Sequence, residues 1–344
     1  MAEAPQGSIP AAVESTTEEK DIVSVDDDEQ VDLPPAVGSA GFEVLYQNEE
    51  LLVVNKPPNV AMDGEIDGLT VEKWVNESEG MKAFMARDLP KGNVGKWNGG
   101  LTDNATKKRL RFIHQLDHPT SGILCLGFSK EMAARMAHCF QQRYAQKEYV
   151  AVLHGWLPES LMTPQEDAVA GENAETKRYI RCVNVGELEM TFPIGYDETD
   201  PKELRMACVE PPKGKEAKTV LSVLRRAHVR RNDGVLVKVT HVLLKPTTGR
   251  RHQLRVQCAC IGHPMIGDLL YSADGQLYDR MMLHAMTLSL GIDVDICASS
   301  YKDRVNDKRR RRRVTIGVAD HAAEATSRFT TADPFVQYLV DDAA

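Results

Sequence analysis

The strongest constraint on the fold is a recurring pattern of short apolar, β-branched runs, each cut off by a Gly, Pro or Asn/Asp turn. Phe42 to Tyr46 and Leu51 to Pro57 flank a polar turn at Gln47 to Glu50, which predicts a β-hairpin. Its second strand ends at Pro57-Pro58, because neither proline can donate to a ladder. Lys147 to Leu153 reads as a strand ended by Gly155, and Val235 to Leu244 as a longer one. Two helices stand out. Ser129 caps one whose Met132, Met136 and Phe140 share a stripe that packs into the core. The other runs from Arg250 to Ile261, between the turn Thr247-Thr248-Gly249 and a C-terminal Gly262. Strands outnumber helices and are mostly joined by short turns, so the expected fold is α+β: a mixed, largely antiparallel sheet with flanking helices.

Charge divides the chain. The net charge is −8, yet residues 1–40 hold ten Asp/Glu and one Lys, which leaves 41 Lys/Arg against 40 Asp/Glu in the rest. The first 40 residues read as a disordered acidic tail, residues 41–300 as one main domain and residues 301–344 as a basic extension. Polar stretches at 77–107 and 158–177 read as surface loops. Between Arg225 and Arg255 the Arg and Lys residues face a single acid, Asp233, so this segment is the best candidate for a phosphate-facing surface. The run Lys308 to Arg313 fits a solvated segment, an RNA-backbone contact or a nuclear import signal, and the three stay open.

Seven cysteines, without a Cys-x-x-Cys pair and mostly inside apolar runs, indicate a reducing compartment with buried thiols. No apolar run reaches the length of a membrane span, and the N-terminus resembles neither a secretory signal nor a transit peptide. The expected location is therefore cytoplasmic or nuclear, with no membrane partner and no organellar targeting. Cys258-x-Cys260 has no second matching pair, and His252, His263 and His284 lack ligand spacing, so no metal site is expected.

The segment Arg111-Phe112-Ile113-His114-Gln115-Leu116-Asp117-His118-Pro119-Thr120-Ser121-Gly122-Ile123-Leu124 carries the chemistry. It delivers a carboxylate, Asp117, into a Pro-Thr-Ser-Gly turn from which a second apolar run leaves at once. An acid at the mouth of a loop, between strands expected to be buried, is placed to react. The loop resembles the His-Arg-Leu-Asp and Thr-Ser-Gly loop of the RluA-type pseudouridine synthases. Further blocks follow in that family's order: Asn55-Lys56-Pro57, Lys147-Glu148-Tyr149 with Ala151, Gly214-Lys215-Glu216-Ala217-Lys218-Thr219, Gly249 to Val256 with Gly262 to Asp268, and Leu283-His284-Ala285.

The resemblance spans roughly residues 42–290 and implies the pseudouridine synthase catalytic fold, an enzyme isomerising uridine in tRNA or rRNA, a monomer, and no cofactor. It implies that Asp117 acts at the sugar, that Arg255 keeps this acid ionised, and that Tyr149 is the aromatic wall for the flipped uracil and a candidate base at carbon five. It assigns substrate binding to His114, Gln115, Thr120, Ser121 and Gly122 in the loop, and to Arg250, His252 and Gln253 in the later block. Gln115 stands where most members have Arg, Gln257 replaces a common His, and Arg251 a common Thr. A second reading is an RNA-binding or RNA-chaperone protein that kept the fold without catalysis. Retention of Asp117, Tyr149 and Arg255 weighs against it.

Overall fold

The computed structural model describes residues 41–48, 50–77, 110–163, 178–202, 204–292, 294 and 327–341. The acidic tail, nearly all of the 77–107 loop, much of the 158–177 stretch and the Arg309 to Arg313 run lie outside them. Among the described residues no helix is long and apolar enough to cross a membrane, and no cluster of three His, Cys, Asp or Glu is arranged to hold a metal ion.

The expected hairpin is β1 (Glu43–Gln47) and β2 (Leu51–Lys56), antiparallel. Helix α1 (Val71–Glu77) follows, then a short β3 (Arg111–Phe112), β4 (Ser121–Gly127), α2 (Lys130–Gln141) and β5 (Gln146–His154). A one-turn helix α3 (Glu159–Met162) precedes β6 (Ile180–Asn184), β7 (Glu187–Met190), β8 (Ile194–Tyr196) and β9 (Met206–Cys208). The long strands β10 (Thr219–Arg230) and β11 (Leu236–Pro246) form a second hairpin, closed by Gly234 at φ +88°. Helix α4 (Gln253–Cys260), β12 (Leu283–Ser289), β13 (Arg328–Thr330) and β14 (Leu339–Val340) complete the order.

One sheet has the order β1-β2-β4-β12-β5-β11-β10-β7-β6, with β3 on β4, β13 on β12 and β14 on β10, while β8 and β9 pair apart. β4 and β12 run parallel, and the other pairings between these named strands are antiparallel. The fold is thus the mixed, largely antiparallel α+β sheet that the strand pattern implies. β13 and β14 carry the sheet beyond residue 300, the boundary read from the sequence.

Burial on both faces explains why β2 and β4 read as continuous apolar runs rather than alternating ones. On one face Leu52, Val54, Leu124 and Leu126 pack with Val71 and Val75 of α1. On the other, Leu51, Val53, Ile123 and Cys125 meet Met132 and Met136 of α2. The Ser129 hydroxyl caps α2 by accepting from the Met132 amide at 3.0 Å, and it donates to Glu50 at 2.7 Å. Farther along the first face, Ala151, Leu153, Val242 and Leu244 pack against Leu254 and Cys258 of α4. Tyr149 touches both apolar clusters of that face, so it stands where the α1 and α4 sides of the molecule meet.

α4 begins at Gln253, three residues later than the apolar pattern predicts. His252 takes the left-handed conformation, φ 54° and ψ 18°, which ends any helix that would start before it. Gly262, at φ +80°, follows the helix as expected.

Candidate active site

Asp117 lies between β3 and β4 in a loop pinned at several points. Leu116 is buried in the α1-side core, and the Thr120 amide donates to the Asp117 carbonyl at 3.0 Å. Beneath the loop Lys56, with none of its surface exposed, donates to the carbonyls of His118 (3.1 Å), Val60 (2.8 Å) and Pro57 (3.0 Å). Three carbonyl acceptors take up all three ammonium protons, so Lys56 holds the loop down with no donor to spare. Burial pulls its pKa to about 7, against the attraction of Asp117. Gly122 leaves the loop at φ +114°, and a Cβ there would come within 2.3 Å of the Ala285 carbonyl, so this position admits no side chain.

Arg255 reaches the Asp117 carboxylate from α4, its NH1 donating to Oδ2 at 3.3 Å. Its stronger partner is Asp268, which accepts from Nε and from NH2 at 2.8 Å each in a forked pair. Arg255 and Asp268 are 3% and 0% exposed, whereas the Asp117 side chain keeps 26% of its surface open. Asp268 Oδ1 also accepts from the amides of Leu270 and Tyr271, so its position is set by backbone. The Tyr271 ring lies 5.1 Å from the Arg255 guanidinium, and its hydroxyl accepts from the Met206 amide and sits 2.9 Å from His252 Nδ1.

Desolvation alone would raise the pKa of Asp117, but His252, Arg255 with its hydrogen bond, and Arg251 outweigh it and hold the acid below its ordinary value. Burial also lowers His252 to about 4, leaving its imidazole neutral at pH 7. The standing cations beside Asp117 at that pH are therefore Arg255 and Arg251. Because the Nε–NH2 edge of its guanidinium already serves Asp268, Arg255 gives Asp117 one long contact and does not neutralise it fully. Burial, then the charge on Asp117, raises the pKa of the Tyr149 phenol, so its phenolate is disfavoured. This leaves Tyr149 as a neutral ring whose flat face can stack on a nucleobase.

The residues assigned to substrate binding fall into two groups. Gln115 is exposed, and the Thr120 hydroxyl is buried with no hydrogen-bond partner among the described residues. His252 and exposed Arg250 flank the start of α4, with Arg250 Nε on the Glu216 carbonyl at 2.9 Å. The others are taken up within the protein. His114 Nε2 accepts from the Cys125 amide at 3.0 Å and its ring stacks on Phe140. Ser121 bonds His284 and Arg280. Buried Gln253 accepts from Thr248 and the Arg250 amide and donates to Lys218 and Thr219. Outside the assigned set, Gln257, which stands where a His is common, is fully buried and ties α4 to Thr219, Ala217 and Met190.

Sequence reasoning assigned no role to Asp268, Lys56 or Tyr271. Asp268 and Lys56 stand inside the blocks already quoted. One signal pointed to Asp268: a buried Arg needs a dedicated partner, and a Gly-Asp turn follows its helix.

Comparison with known proteins supplies the family. A model described as RNA pseudouridylate synthase matches residues 50–260. This chain belongs to that family. Among its synthase relatives is RNA pseudouridylate synthase domain-containing protein 1 of Danio rerio, 34% identical over 255 residues that cover 72% of this chain and 70% of that protein. The Homo sapiens protein of the same name is 32% identical over 264 residues, 74% and 70% of the two chains. tRNA pseudouridine synthase C of Haemophilus ducreyi is 26% identical over 260 residues, 72% and 84%. Among solved structures, human RNA Pseudouridylate Synthase Domain Containing 1 is similar, with TM-score 0.50 and 28% identity over 74% of this chain and 80% of that one. The chain is accordingly an RNA pseudouridine synthase, an isomerase with RNA as its substrate.

Proposed function

We propose that Asp117 is the carboxylate that acts at the ribose of a target uridine in tRNA or rRNA, as nucleophile at the anomeric carbon or as base at its neighbour. The bond from the base nitrogen to the sugar breaks, the uracil turns, and a carbon–carbon bond forms in its place. Carbon five loses a proton and the freed ring nitrogen gains one, so nothing is added or removed overall. The observation that carries this reading is the division of Arg255 between two acids. Fully buried Asp268 fixes the guanidinium through two contacts of 2.8 Å, and Asp117 receives a single one of 3.3 Å. An acid held ionised yet incompletely neutralised remains reactive after the flipped base displaces water. Tyr149 supplies the ring against which the uracil stacks.

The test is Asp117→Asn, which keeps the shape and removes the charge. Isomerisation of unmodified RNA should vanish, while RNA affinity stays within about tenfold because phosphate contacts dominate binding. Multiple turnover by the Asn variant would sink the assignment. A wild-type protein that binds RNA but forms no pseudouridine would favour the catalytically silent alternative.

A further inference from the structure

Arg280 stands just ahead of β12, beside the Asp117 loop, and differs from Arg255 in one respect. Arg255 is neutralised by a forked carboxylate, whereas no carboxylate among the described residues pairs with Arg280. The side chain is half-buried, so it is shielded from water yet open to a ligand. Its Nε donates to the Met281 carbonyl at 3.3 Å, its NH2 to Ser121 Oγ at 2.5 Å, and its guanidinium carbon lies 5.1 Å from the ring centre of fully buried Phe335. NH1 has no acceptor among the described residues.

A directed series of hydrogen bonds fixes this orientation. Arg280 can only donate, so Ser121 Oγ accepts from it and gives its own proton to His284 Nδ1 at 2.8 Å. His284, kept neutral by burial with a pKa near 4, then carries its proton on Nε2 and donates to Thr331 Oγ1 at 2.7 Å. The Thr331 hydroxyl donates to the Met286 carbonyl at 3.3 Å. One edge and one face of the guanidinium are thereby held by the β4–β12 junction and the segment after β13, and the remaining edge keeps two donors. Lys56 is near enough for Arg280 to lower its pKa, but its ammonium protons are all taken by carbonyls. Of these two basic side chains, Arg280 is the one with donors left.

Such a cation costs stability unless something neutralises it. Uracil and ribose carry no charge, and the anionic groups of an RNA near its reacting nucleotide are the flanking phosphodiesters. We propose that Arg280 is a phosphate-binding residue of this site, taking a backbone phosphodiester next to the target uridine. The assignment rests on the reading of Asp117 as the reacting acid, because Ser121, which orients Arg280, opens β4 four residues after Asp117.

The experiment compares wild type, Arg280→Met and Arg280→Lys on an RNA in which the wild type forms pseudouridine, measuring affinity across a salt series and thermal unfolding of each protein. In the Met variant the slope of log affinity against log salt should fall by about 0.7–0.9, the value of one phosphate contact, with affinity down about tenfold at low salt. Its unfolding temperature should not drop, since an unpaired cation has been replaced by an apolar chain of similar length. The Lys variant should keep the slope while losing part of the affinity, because it lacks the planar fork. An unchanged slope in a folded Met variant overturns the assignment and leaves the Asp117 reading intact. A wild type that modifies no RNA overturns both.

Discussion

Asp268→Asn separates the anchor of Arg255 from its contact with Asp117. The substitution is nearly isosteric, and the Asn carbonyl can still accept from the Leu270 and Tyr271 amides. It removes the charge that faces Arg255 and puts an amide donor against a guanidinium donor. Breaking a buried ion pair from one side costs about 3–5 kcal/mol, because the remaining charge is left without compensation. Arg255 is 3% exposed but retains Asp117 at 3.3 Å, so the lower end, about 3 kcal/mol, is expected. With a urea dependence of about 3 kcal/mol per molar, the unfolding midpoint should fall by about 1 M. Freed from Asp268, the guanidinium should close on Asp117 and neutralise it more fully, so kcat should fall by more than KM rises. The assay is a cycle of Asp268→Asn, Arg255→Met and the double variant, followed by urea unfolding and by turnover. The double variant should be more stable than the sum of the single losses, since neither charge is then left unpaired. Additive losses, or a wild-type midpoint for Asp268→Asn, would refute the reasoning.

Lys56 should make stability rise with pH: its folded pKa is near 7 against an ordinary 10.5, so between these values the unfolded chain holds a proton that the folded chain has released. Unfolding midpoints from pH 6.5 to 10 should climb more steeply in wild type than in Lys56→Met, and parallel curves would count against the shift. If Tyr149 is a wall rather than a base, Tyr149→Phe should keep turnover within about tenfold while Tyr149→Ala loses far more, as expected of a stacking contact worth about 1–3 kcal/mol. A dead Phe variant would restore the hydroxyl as the base. Exhaustive chelation and dialysis should leave turnover unchanged, and loss that a divalent ion restores without refolding the RNA would contradict a cofactor-free site.

Much of the architecture was legible in the chain because it depends on neighbours in sequence. Pro57-Pro58 must end a strand, Ser129 ahead of Met132 and Met136 must cap a helix with one apolar stripe, and the polar turn after Gln47 must close a hairpin. The same locality exposed Asp117, since an acid followed by Pro-Thr-Ser-Gly between two apolar runs is a loop-borne carboxylate in almost any setting. Other features depend on partners far along the chain. α4 starts at Gln253 because His252 turns left-handed beside Tyr271, a contact the 3.6-residue pattern does not encode. Arg255 meets Asp117 across 138 residues and Asp268 across 13, and which acid dominates follows from depth: the fully buried one takes the forked contact. Residues 328–340 read as part of a basic extension, yet they add strands to the sheet and seat Phe335 against Arg280. Periodicity reports which face of an element is apolar, whereas the pairing of buried charges and the docking of a distant segment follow from where the folded chain excludes water.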